Sequence, residues 1–273
     1  MEKKIGFIGC GNMGKAILGG LIASGKILPK QIWVYTPSPN KLAALHDKYG
    51  VNIADTPQEV AKITDIVFGA VKPCIILEVL SKVASSLNKN TLVLSIAVGV
   101  TLEQLARVLG HNRKIVRAMP NTPSLVNAGM TSVTPNALLT PGDITDVLNI
   151  FRCFGKSEVI AEAIIPTVVG ISASAPAYVF MFIEAMADAA VLGGMPRAQA
   201  YKFAAQTVMG SAKMLLETGV NPSELKDMVC SPGGTTIEAI RVLEKKSFRS
   251  AVIEAIVRCM ETSNKLNNPY NQG

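Results

Sequence analysis

The chain has 273 residues, of which 49% are apolar, 17% are charged and only 5% are aromatic. This length allows one large domain or two smaller ones, and the aliphatic composition favours packed helices and parallel strands over an antiparallel β-sandwich. The net charge of +7 comes from dispersed Lys and Arg residues, with no basic cluster interleaved with aromatic residues. The charge therefore argues against a nucleic-acid-binding face and is compatible with a solvated surface or a modest attraction for anionic ligands.

The cysteine and histidine content disfavours a zinc site and a disulfide framework. The five cysteines form no CxxC pair, their number is odd, and the chain has two histidines. These features, together with a start that runs directly into a strand without a signal peptide, predict a reduced protein of the cytoplasm.

The N-terminal half alternates apolar strands with helices. A helix over residues 12–23 follows the first strand, and another begins near Pro39. The predicted strands are 4–9, 31–36, 51–53, 65–70, 91–95 and 114–119. Continuous apolar runs separated by helices predict an α/β class, with a Rossmann-type parallel sheet covered on both faces.

After about residue 160 the predicted strands stop and helices alone follow. The predicted helices are 176–192, 196–217, 222–229, 235–243 and 248–264, with prolines at several of their starts, where a missing N–H costs nothing. The change predicts a dinucleotide-binding domain over residues 1–160 and an all-α domain over residues 161–273.

The stretch 177–194, AYVFMFIEAMADAAVLGG, is apolar nearly all round and is the candidate for a membrane span. It is short, and it carries Glu184 and Asp188, whose charges are expensive in lipid. We therefore expect a helix buried within the domain or against another subunit, and no membrane.

A glycine-rich turn, GFIGCGNMGKAI, joins the first strand to the first helix. Its glycines, Gly9, Gly11 and Gly14, match the pattern GxGxxG: the first permits a tight turn, the second lets the backbone approach a pyrophosphate, and the third allows close packing of helix and strand. An anion then lies on the helix N-terminus. The pattern predicts dinucleotide binding, with a ligand-free turn as the alternative.

The end of the second strand indicates which dinucleotide is bound. An NAD enzyme is expected to carry an acid there for the ribose hydroxyls, but the sequence reads YTPSPNK. Thr36 and Ser38 can donate hydrogen bonds to a 2′-phosphate, with Asn40 and Lys41 close in sequence. NADPH is therefore favoured over NADH, unless these residues form only a turn.

Further loops follow other strands of the same sheet. Ala70, Val71, Lys72 and Pro73 follow the fourth strand, and Ala97 follows the fifth. Since the carboxyl ends of parallel strands form the usual ligand edge, Val71 and Lys72 can border the ribose and Ala97 the nicotinamide. An ordinary strand-to-helix connection is the alternative for each loop. A third segment, 117–123, carries Asn121 and Thr122 towards the same edge.

The residues that remain suit hydride transfer to an already activated electrophile. His46 and His111 occupy ordinary positions, and the first core-like helix after the boundary has no lysine of the kind a hydroxyacid dehydrogenase would use. A protonated imine needs only cofactor, orientation and anion binding. A hydroxyacid or broader imine reductase, and a non-catalytic dinucleotide-binding regulator, stay as alternatives.

The stretch 230–238, CSPGGTTIE, offers a place for a small anion. Thr235 and Glu238 have the spacing of a capping box, with Thr235 as N-cap, which leaves Thr236 as an extra hydroxyl. Gly233 and Gly234 carry no Cβ, so that a carboxylate can approach free backbone N–H groups at the helix start. A plain capped turn is the equal alternative.

Six stretches of the chain resemble pyrroline-5-carboxylate reductases. They are GFIGCGNMGKAI, AVKP, RAMPNTP, APAYVFMFIEAMADAAVLGGMPR, AAQTVMGSAKML and LKDMVCSPGGTTIEAI, in register from about residue 3 to 265. The resemblance implies NAD(P)H-dependent reduction of 1-pyrroline-5-carboxylate to L-proline. It also implies a helical domain that interlocks with a second subunit, so that the site lies at a dimer interface, and dimers that commonly assemble into decamers.

The resemblance also implies roles for individual residues. The cofactor would contact Gly9, Cys10, Gly11, Asn12, Met13, Ser38, Ala70, Val71, Lys72, Pro73 and Ala97, to which the glycine spacing and the end of the second strand add Gly14 and Thr36. The substrate would contact Ser174, Ser231 and the residues from Gly233 to Thr236. Thr236 would bond the ring nitrogen, and Gly233 to Thr235 would hold the carboxylate. No metal is expected.

The sequence departs from the family at three positions. Ala173 and Ala175 stand where the family pattern GxSGSGPAY has glycine, and Val98 stands where alanine is common. Because alanine requires a negative φ and adds a methyl group, these departures put catalytic efficiency in question more than identity.

Overall fold

The computed structural model describes residues 2–267, and its N-terminal part is built on one eight-stranded sheet. The strands are β1 (Ile5–Ile8), β2 (Ile32–Tyr35), β3 (Asn52–Ile53), β4 (Ile66–Gly69), β5 (Leu92–Ser95), β6 (Lys114–Met119), β7 (Gly129–Pro135) and β8 (Gly155–Val159). Every residue of β1, β4 and β5 is buried, as expected for central strands covered on both faces.

Six helices lie between these strands, and a seventh follows the last strand. They are α1 (Asn12–Ala23), α2 (Pro39–Tyr49), α3 (Pro57–Ile63), α4 (Pro73–Val83), α5 (Leu102–Leu109), α6 (Pro141–Phe151) and α7 (Ile165–Val168). Threonines begin three of them: the side chains of Thr56, Thr101 and Thr140 each accept a hydrogen bond from the backbone N–H three residues later. These caps satisfy N–H groups that the helix itself leaves unpaired.

The strand order is β3-β2-β1-β4-β5-β6-β7-β8, and β1 to β6 are all parallel. From β1 the chain builds outward on one side to β3, then crosses back to β4 on the other side. Such a reversal beside β1 opens a crevice at the carboxyl ends of the strands. The predicted α/β class with a Rossmann-type sheet is confirmed.

Two strands differ from the sequence prediction. β7 and β8 were not predicted, and β7 runs antiparallel to β6, so the sheet is not wholly parallel. The sequence of β7, GMTSVTP, contains Thr131, Ser132 and Thr134, and β8 carries Lys156 and Glu158. Neither strand resembles the continuous apolar runs of the inner strands. Polar residues interrupt β7, and β8 lies at the edge of the sheet, where it is half exposed.

Two apolar clusters cover the faces of the sheet. One contains Ile17 and Leu21 of α1 with Ile150 and Phe151 of α6, and it includes Phe7 stacked on Phe68 with ring centroids 4.8 Å apart. The other is formed by the buried faces of α3, α4 and α5. The helices are therefore divided between the two faces, as the strand–helix alternation predicted.

The described residues form two compact units, one of residues 2–173 with 259–267 and the other of residues 174–258. Every described element after β8 is helical. The remaining helices are α8 (Ala175–Leu192), α9 (Arg197–Thr218), α10 (Pro222–Val229), α11 (Thr235–Lys245) and α12 (Phe248–Asn267).

The second unit leaves many large apolar side chains exposed. Phe180, Met181, Phe203 and Leu216 are each more than 60% exposed. Apolar exposure on this scale indicates a surface that another protein surface covers. The helical stretch Glu162–Leu192 is also long and apolar enough to cross a membrane by length and composition, a test that core helices of soluble proteins pass too.

Two adjacent glycines of α1 give a test of the packing between α1 and the loop before β8. A Cβ on Gly20 would lie 2.5 Å from Cβ of the buried Phe154, whereas a Cβ on Gly19 would lie 3.4 Å from the hydroxyl of Tyr49. We expect Gly20→Ala to lower the free energy of unfolding, because overpacking costs about 1–3 kcal/mol and exceeds the gain in helix propensity. The matched Gly19→Ala variant should gain roughly 0.5–1 kcal/mol. Urea unfolding followed by circular dichroism measures both, and equal effects at the two positions would contradict the packing.

Candidate active site

Gly9 shapes the turn between β1 and α1. Its φ is +82°, a left-handed conformation, and a Cβ there would lie 2.5 Å from Cγ1 of Val71 and 2.7 Å from the carbonyl oxygen of Ala70. Its N–H donates to the carbonyl of Tyr35 at 2.8 Å. Both the backbone conformation and the lack of space therefore require glycine, and the turn is held against the loops that follow β2 and β4.

The N-terminus of α1 is free to receive an anion. Gly11 is the N-cap residue, no side chain caps the first turn, and nothing lies within 4 Å of the position that a Cβ on Gly11 would take. Gly11 and Asn12 are exposed, and Met13 is half-buried. Unpaired N–H groups at the positive end of a twelve-residue helix, with open space before them, fit a pyrophosphate.

Gly14 and Cys10 lie beneath this turn and serve packing. A Cβ on Gly14 would lie 3.4 Å from Cβ of Ala70 and 3.5 Å from Sγ of Cys10, which is ordinary contact, so the requirement for glycine is weaker here than at Gly9. Burial raises the pKa of the Cys10 thiol to about 11, although Lys15 lowers it in part. The thiol is therefore neutral at physiological pH and is a poor nucleophile.

Thr36 and Ser38 follow β2 at the same edge of the sheet. Thr36 is buried, and its Oγ1 accepts a hydrogen bond from the N–H of Ser38 at 3.2 Å. Ser38 is the half-buried N-cap residue of α2, and its side chain makes no capping bond. Its hydroxyl therefore remains available to a ligand.

An open groove of about 420 Å³ lies beside these two residues. Its lining consists of Tyr35, Thr36, Pro37, Pro39, Leu42, Ala43, Ile53 and Asp55. Asp55, which follows β3, also contributes a carboxylate to this groove. The sequence of the second strand does not predict this residue, because Asp55 reaches the groove through the pairing of β3 with β2.

The loops after β4 and β5 complete this edge. Ala70 and Ala97 are buried, Val71 is half-buried, and Lys72 and Pro73 are exposed at the start of α4. The N–H of Ile96 meets the carbonyl of Gly69 at 3.5 Å, which ties the two loops together. The structure thus gathers the four predicted cofactor segments at the carboxyl ends of β2, β1, β4 and β5, which are neighbours in the sheet.

Asn121 does not serve the ligand edge as the sequence suggested. It is buried, its Oδ1 accepts from the N–H of Met130 at 2.9 Å, and its Nδ2 donates to the carbonyl of Ser172 at 3.1 Å. These bonds hold the start of β7 and the π-helical turn Val169–Ala173. The amide is used within the fold, because a buried polar group requires such partners.

The turn Ser231–Gly234 precedes α11 in the second unit. Gly233 has a φ of +67°, and the N–H of Gly234 donates to the carbonyl of Ser231 at 3.0 Å. The predicted capping box is wrong: Gly234 is the N-cap residue, no side chain caps the helix, and Glu238 pairs with Arg241 at 2.9 Å. The helix therefore starts one residue earlier than the spacing implied, and Thr235 and Thr236 are its first two residues.

This shift changes which groups can bind a ligand. Neither threonine caps α11, so both hydroxyls are freed from that role, with Thr235 exposed and Thr236 half-buried. Ser174 lies in the same unit, as the N-cap residue of α8 without a capping bond from its side chain. The start of α11 thus offers backbone N–H groups, together with the hydroxyls of Thr235 and Thr236, to a small carboxylate.

The three departures from the family pattern cause no backbone strain. Among the described residues other than glycine, only Asn127 and Ser247 have a positive φ, so Ala173 and Ala175 adopt conformations that suit alanine. Ala173 packs near Met119 and Val169, and Val98 is 39% exposed.

Comparison with known proteins decides the family. Residues 162–266 match the family model described as pyrroline-5-carboxylate reductase dimerisation, and residues 4–99 match the one described as NADP oxidoreductase, coenzyme F420-dependent. Pyrroline-5-carboxylate reductase of Escherichia coli (strain K12) is 77% identical over 266 residues, which cover 97% of this chain and 99% of that protein. The chain belongs to the pyrroline-5-carboxylate reductase family.

Relatives from distant organisms and solved structures agree. The pyrroline-5-carboxylate reductase of Methanosarcina acetivorans is 42% identical over 268 residues, or 97% of this chain and 98% of that protein. A solved pyrroline-5-carboxylate reductase of Coxiella burnetii is 37% identical with a TM-score of 0.92, covering 98% of this chain and all of that one. The enzyme of Plasmodium falciparum, solved with NADP bound, is 32% identical with a TM-score of 0.87, covering 98% of this chain and 99% of that one.

The predicted family is therefore confirmed. Pyrroline-5-carboxylate reductases are NAD(P)-dependent oxidoreductases, so the predicted enzyme class and cofactor class are confirmed at the level of the family. The matched dimerisation region also supports an assembly of at least two subunits.

Replacement of Gly11 tests the glycine turn as a pyrophosphate site. We expect Gly11→Ala to raise the dissociation constant of NADPH by at least about tenfold, or ~1.4 kcal/mol, because the methyl group enters the open space above the α1 amides. The control is Gly142→Ala, in the first turn of α6, where a Cβ would lie 3.7 Å from the nearest atom. Calorimetric titration measures both. An unchanged dissociation constant for Gly11→Ala in a folded protein would contradict this position for the pyrophosphate.

Proposed function

We propose that this protein reduces 1-pyrroline-5-carboxylate to L-proline with NADPH, the final step of proline biosynthesis, and accepts NADH as an alternative donor. The observation that carries the proposal is the 77% identity to a pyrroline-5-carboxylate reductase over 97% of the chain. A glycine turn and a helix start with the geometry of anion sites support it.

The cofactor is held by four loops of the sheet edge. The free amides of α1 after Gly11 bind the pyrophosphate, and the loop that carries Thr36 and Ser38 binds the 2′-phosphate of the adenosine ribose. Val71 and Lys72 border the ribose, and Ala97 lies against the nicotinamide. When bound, NADPH supplies the hydride from its nicotinamide ring.

The substrate carboxylate is held at the start of α11. Since the N–H of Gly234 is already bonded to Ser231, the next N–H groups, those of Thr235 and Thr236, are the donors available to the carboxylate. Gly233, with its positive φ, makes the turn that exposes them. Ser174 is the remaining polar contact proposed from this unit.

Thr236 acts on the ring nitrogen. The imine nitrogen carries a proton when the substrate binds, and the Thr236 hydroxyl hydrogen-bonds it. The imine carbon then accepts the hydride, so that the C=N double bond becomes a C–N single bond and the electron pair remains on nitrogen as the neutral amine of proline. No side-chain acid is required at that step, because the proton is already on the substrate.

The assembly and location follow from the same family. We propose a dinucleotide-binding domain over residues 1–160 and a substrate-binding and dimerisation domain over residues 161–273. The exposed apolar residues of α8 and α9 support a homodimer, with further assembly into a larger oligomer such as a decamer. The protein is proposed to be cytoplasmic, without association with membranes or nucleic acid.

The choice between NADPH and NADH is tested at Ser38. We expect Ser38→Asp to raise the KM for NADPH by about tenfold or more, because a carboxylate repels the 2′-phosphate, and to raise the KM for NADH much less. Asp is a good N-cap residue, so α2 should stay intact. Ser38→Asn, uncharged and of the same size as Asp, is the control. Equal changes for the two cofactors would show that Ser38 is remote from the 2′-phosphate.

The role of Thr236 is tested by steady-state kinetics. We expect Thr236→Ala to lower kcat/KM for 1-pyrroline-5-carboxylate by roughly 10–100-fold, the ~1.5–3 kcal/mol of a hydrogen bond to a charged group. Thr236→Ser retains the hydroxyl and should keep most of the activity. The assay follows oxidation of NADPH by absorbance. A Thr236→Ala variant with the wild-type rate would remove Thr236 from the mechanism, and a wild-type protein that fails to oxidise NADPH with this substrate would overturn the proposed function.

A further inference from the structure

An ion pair between a buried arginine and a partly exposed glutamate joins three elements next to the proposed nicotinamide loop. Nη1 of Arg117, in β6, lies 2.6 Å from Oε1 of Glu162, in the 3₁₀ turn that follows β8. The same oxygen accepts the N–H of Leu102, the first residue of α5, at 2.8 Å. One carboxylate oxygen therefore links the middle of the sheet, the start of α5 and the segment that follows the last strand.

The buried guanidinium of Arg117 has this carboxylate as its ion-pair partner. The Arg117 side chain is 5% exposed, and Glu162 is the one acidic group that pairs with it among the described residues. The second terminal nitrogen of Arg117, Nη2, is buried and has no hydrogen-bond partner among residues 2–267. A buried cation is costly when it has no counter-ion. Because moving the Glu162 carboxylate away would leave Arg117 unpaired, the ion pair holds Glu162 in place.

The pair fixes one end of the Ala97 loop. The loop runs from Ile96 to Thr101, between β5 and α5. At its start the N–H of Ala97 donates a hydrogen bond to Oγ of Ser95 at 3.3 Å. Its far end is held where Glu162 accepts the N–H of Leu102. Without Glu162, that N–H would lose its partner at the start of the helix.

We propose that Glu162 and Arg117 are positioning residues for hydride transfer. Their ion pair anchors the start of α5 and thereby fixes the position of Ala97 relative to the nicotinamide ring. The proposal rests on the proposed function and assigns neither residue any contact with substrate or cofactor. Hydride transfer is sensitive to the position of the ring, since a small displacement of the reacting atoms costs far more in rate than in binding.

The first test compares two ion pairs of β6. Glu162→Gln should lower kcat by about tenfold, leave the KM for 1-pyrroline-5-carboxylate nearly unchanged, and speed hydrogen–deuterium exchange of the amides of residues 96–102 in the protein without cofactor. The control is Asp143→Asn, which breaks the 2.7 Å pair with Lys114, three residues before Arg117 in the same strand. It should lower thermal stability while kcat and exchange in the loop stay as in the wild type.

The second test separates positioning from stability. Replacing both partners, as Arg117→Met with Glu162→Leu, removes both charges of the pair together and should recover stability, but it leaves the N–H of Leu102 without its acceptor. We expect kcat to stay low and loop exchange to stay fast in this double variant. Recovery of kcat together with stability, or a Glu162→Gln variant that behaves like Asp143→Asn, would overturn the proposal. Failure of the wild-type protein to reduce 1-pyrroline-5-carboxylate would instead refute the proposed function.

Discussion

The left-handed turn at Gly9 is the constraint on which the dinucleotide site depends. With a φ of +82° and no room for a Cβ beside Val71 and Ala70, this residue lets the chain leave β1 and enter α1 directly above the sheet edge. The free amides of α1 consequently face the crevice between the loops after β2 and β4. Any side chain at this position would force those loops apart, and the anion site would be lost before any ligand contact was made.

The proposed substrate site in the helical unit uses the same kind of turn. At Gly233 a positive φ again precedes a helix whose first N–H groups lack a side-chain cap. The pyrophosphate site and the proposed carboxylate site therefore both use main-chain donors at helix starts, where the dipole adds to the hydrogen bonds. Main-chain amides do not titrate, so they remain hydrogen-bond donors over the whole physiological pH range, which suits the proposed reaction of a substrate that is already protonated.

Much of the fold and of the cofactor site could be predicted from the sequence. The inner strands are short continuous apolar runs, and the glycine spacing at residues 9–14 has a direct stereochemical meaning, so both were found. The strands β7 and β8 were missed, because their polar residues are buried or lie at the sheet edge only in the folded chain. The capping box at Thr235 was wrong for a related reason: the spacing of Thr and Glu permits it, but the turn closed by Gly234 and Ser231 starts the helix one residue earlier.

By itself the sequence determined the family, the alternation of the first six strands with helices, and the residues of the glycine turn, because these depend on local backbone preferences and on patterns along the chain. Only the tertiary structure decided which polar residues form hydrogen bonds within the fold and which line the ligand groove. Asn121 was expected at the ligand edge but binds Ser172 and Met130, and Asp55 reaches the groove beside Thr36. The pairing of Arg117 with Glu162, 45 residues apart, likewise arises from the sheet. Such contacts follow from strand order and register, which join residues distant in the chain and leave no periodic trace in it.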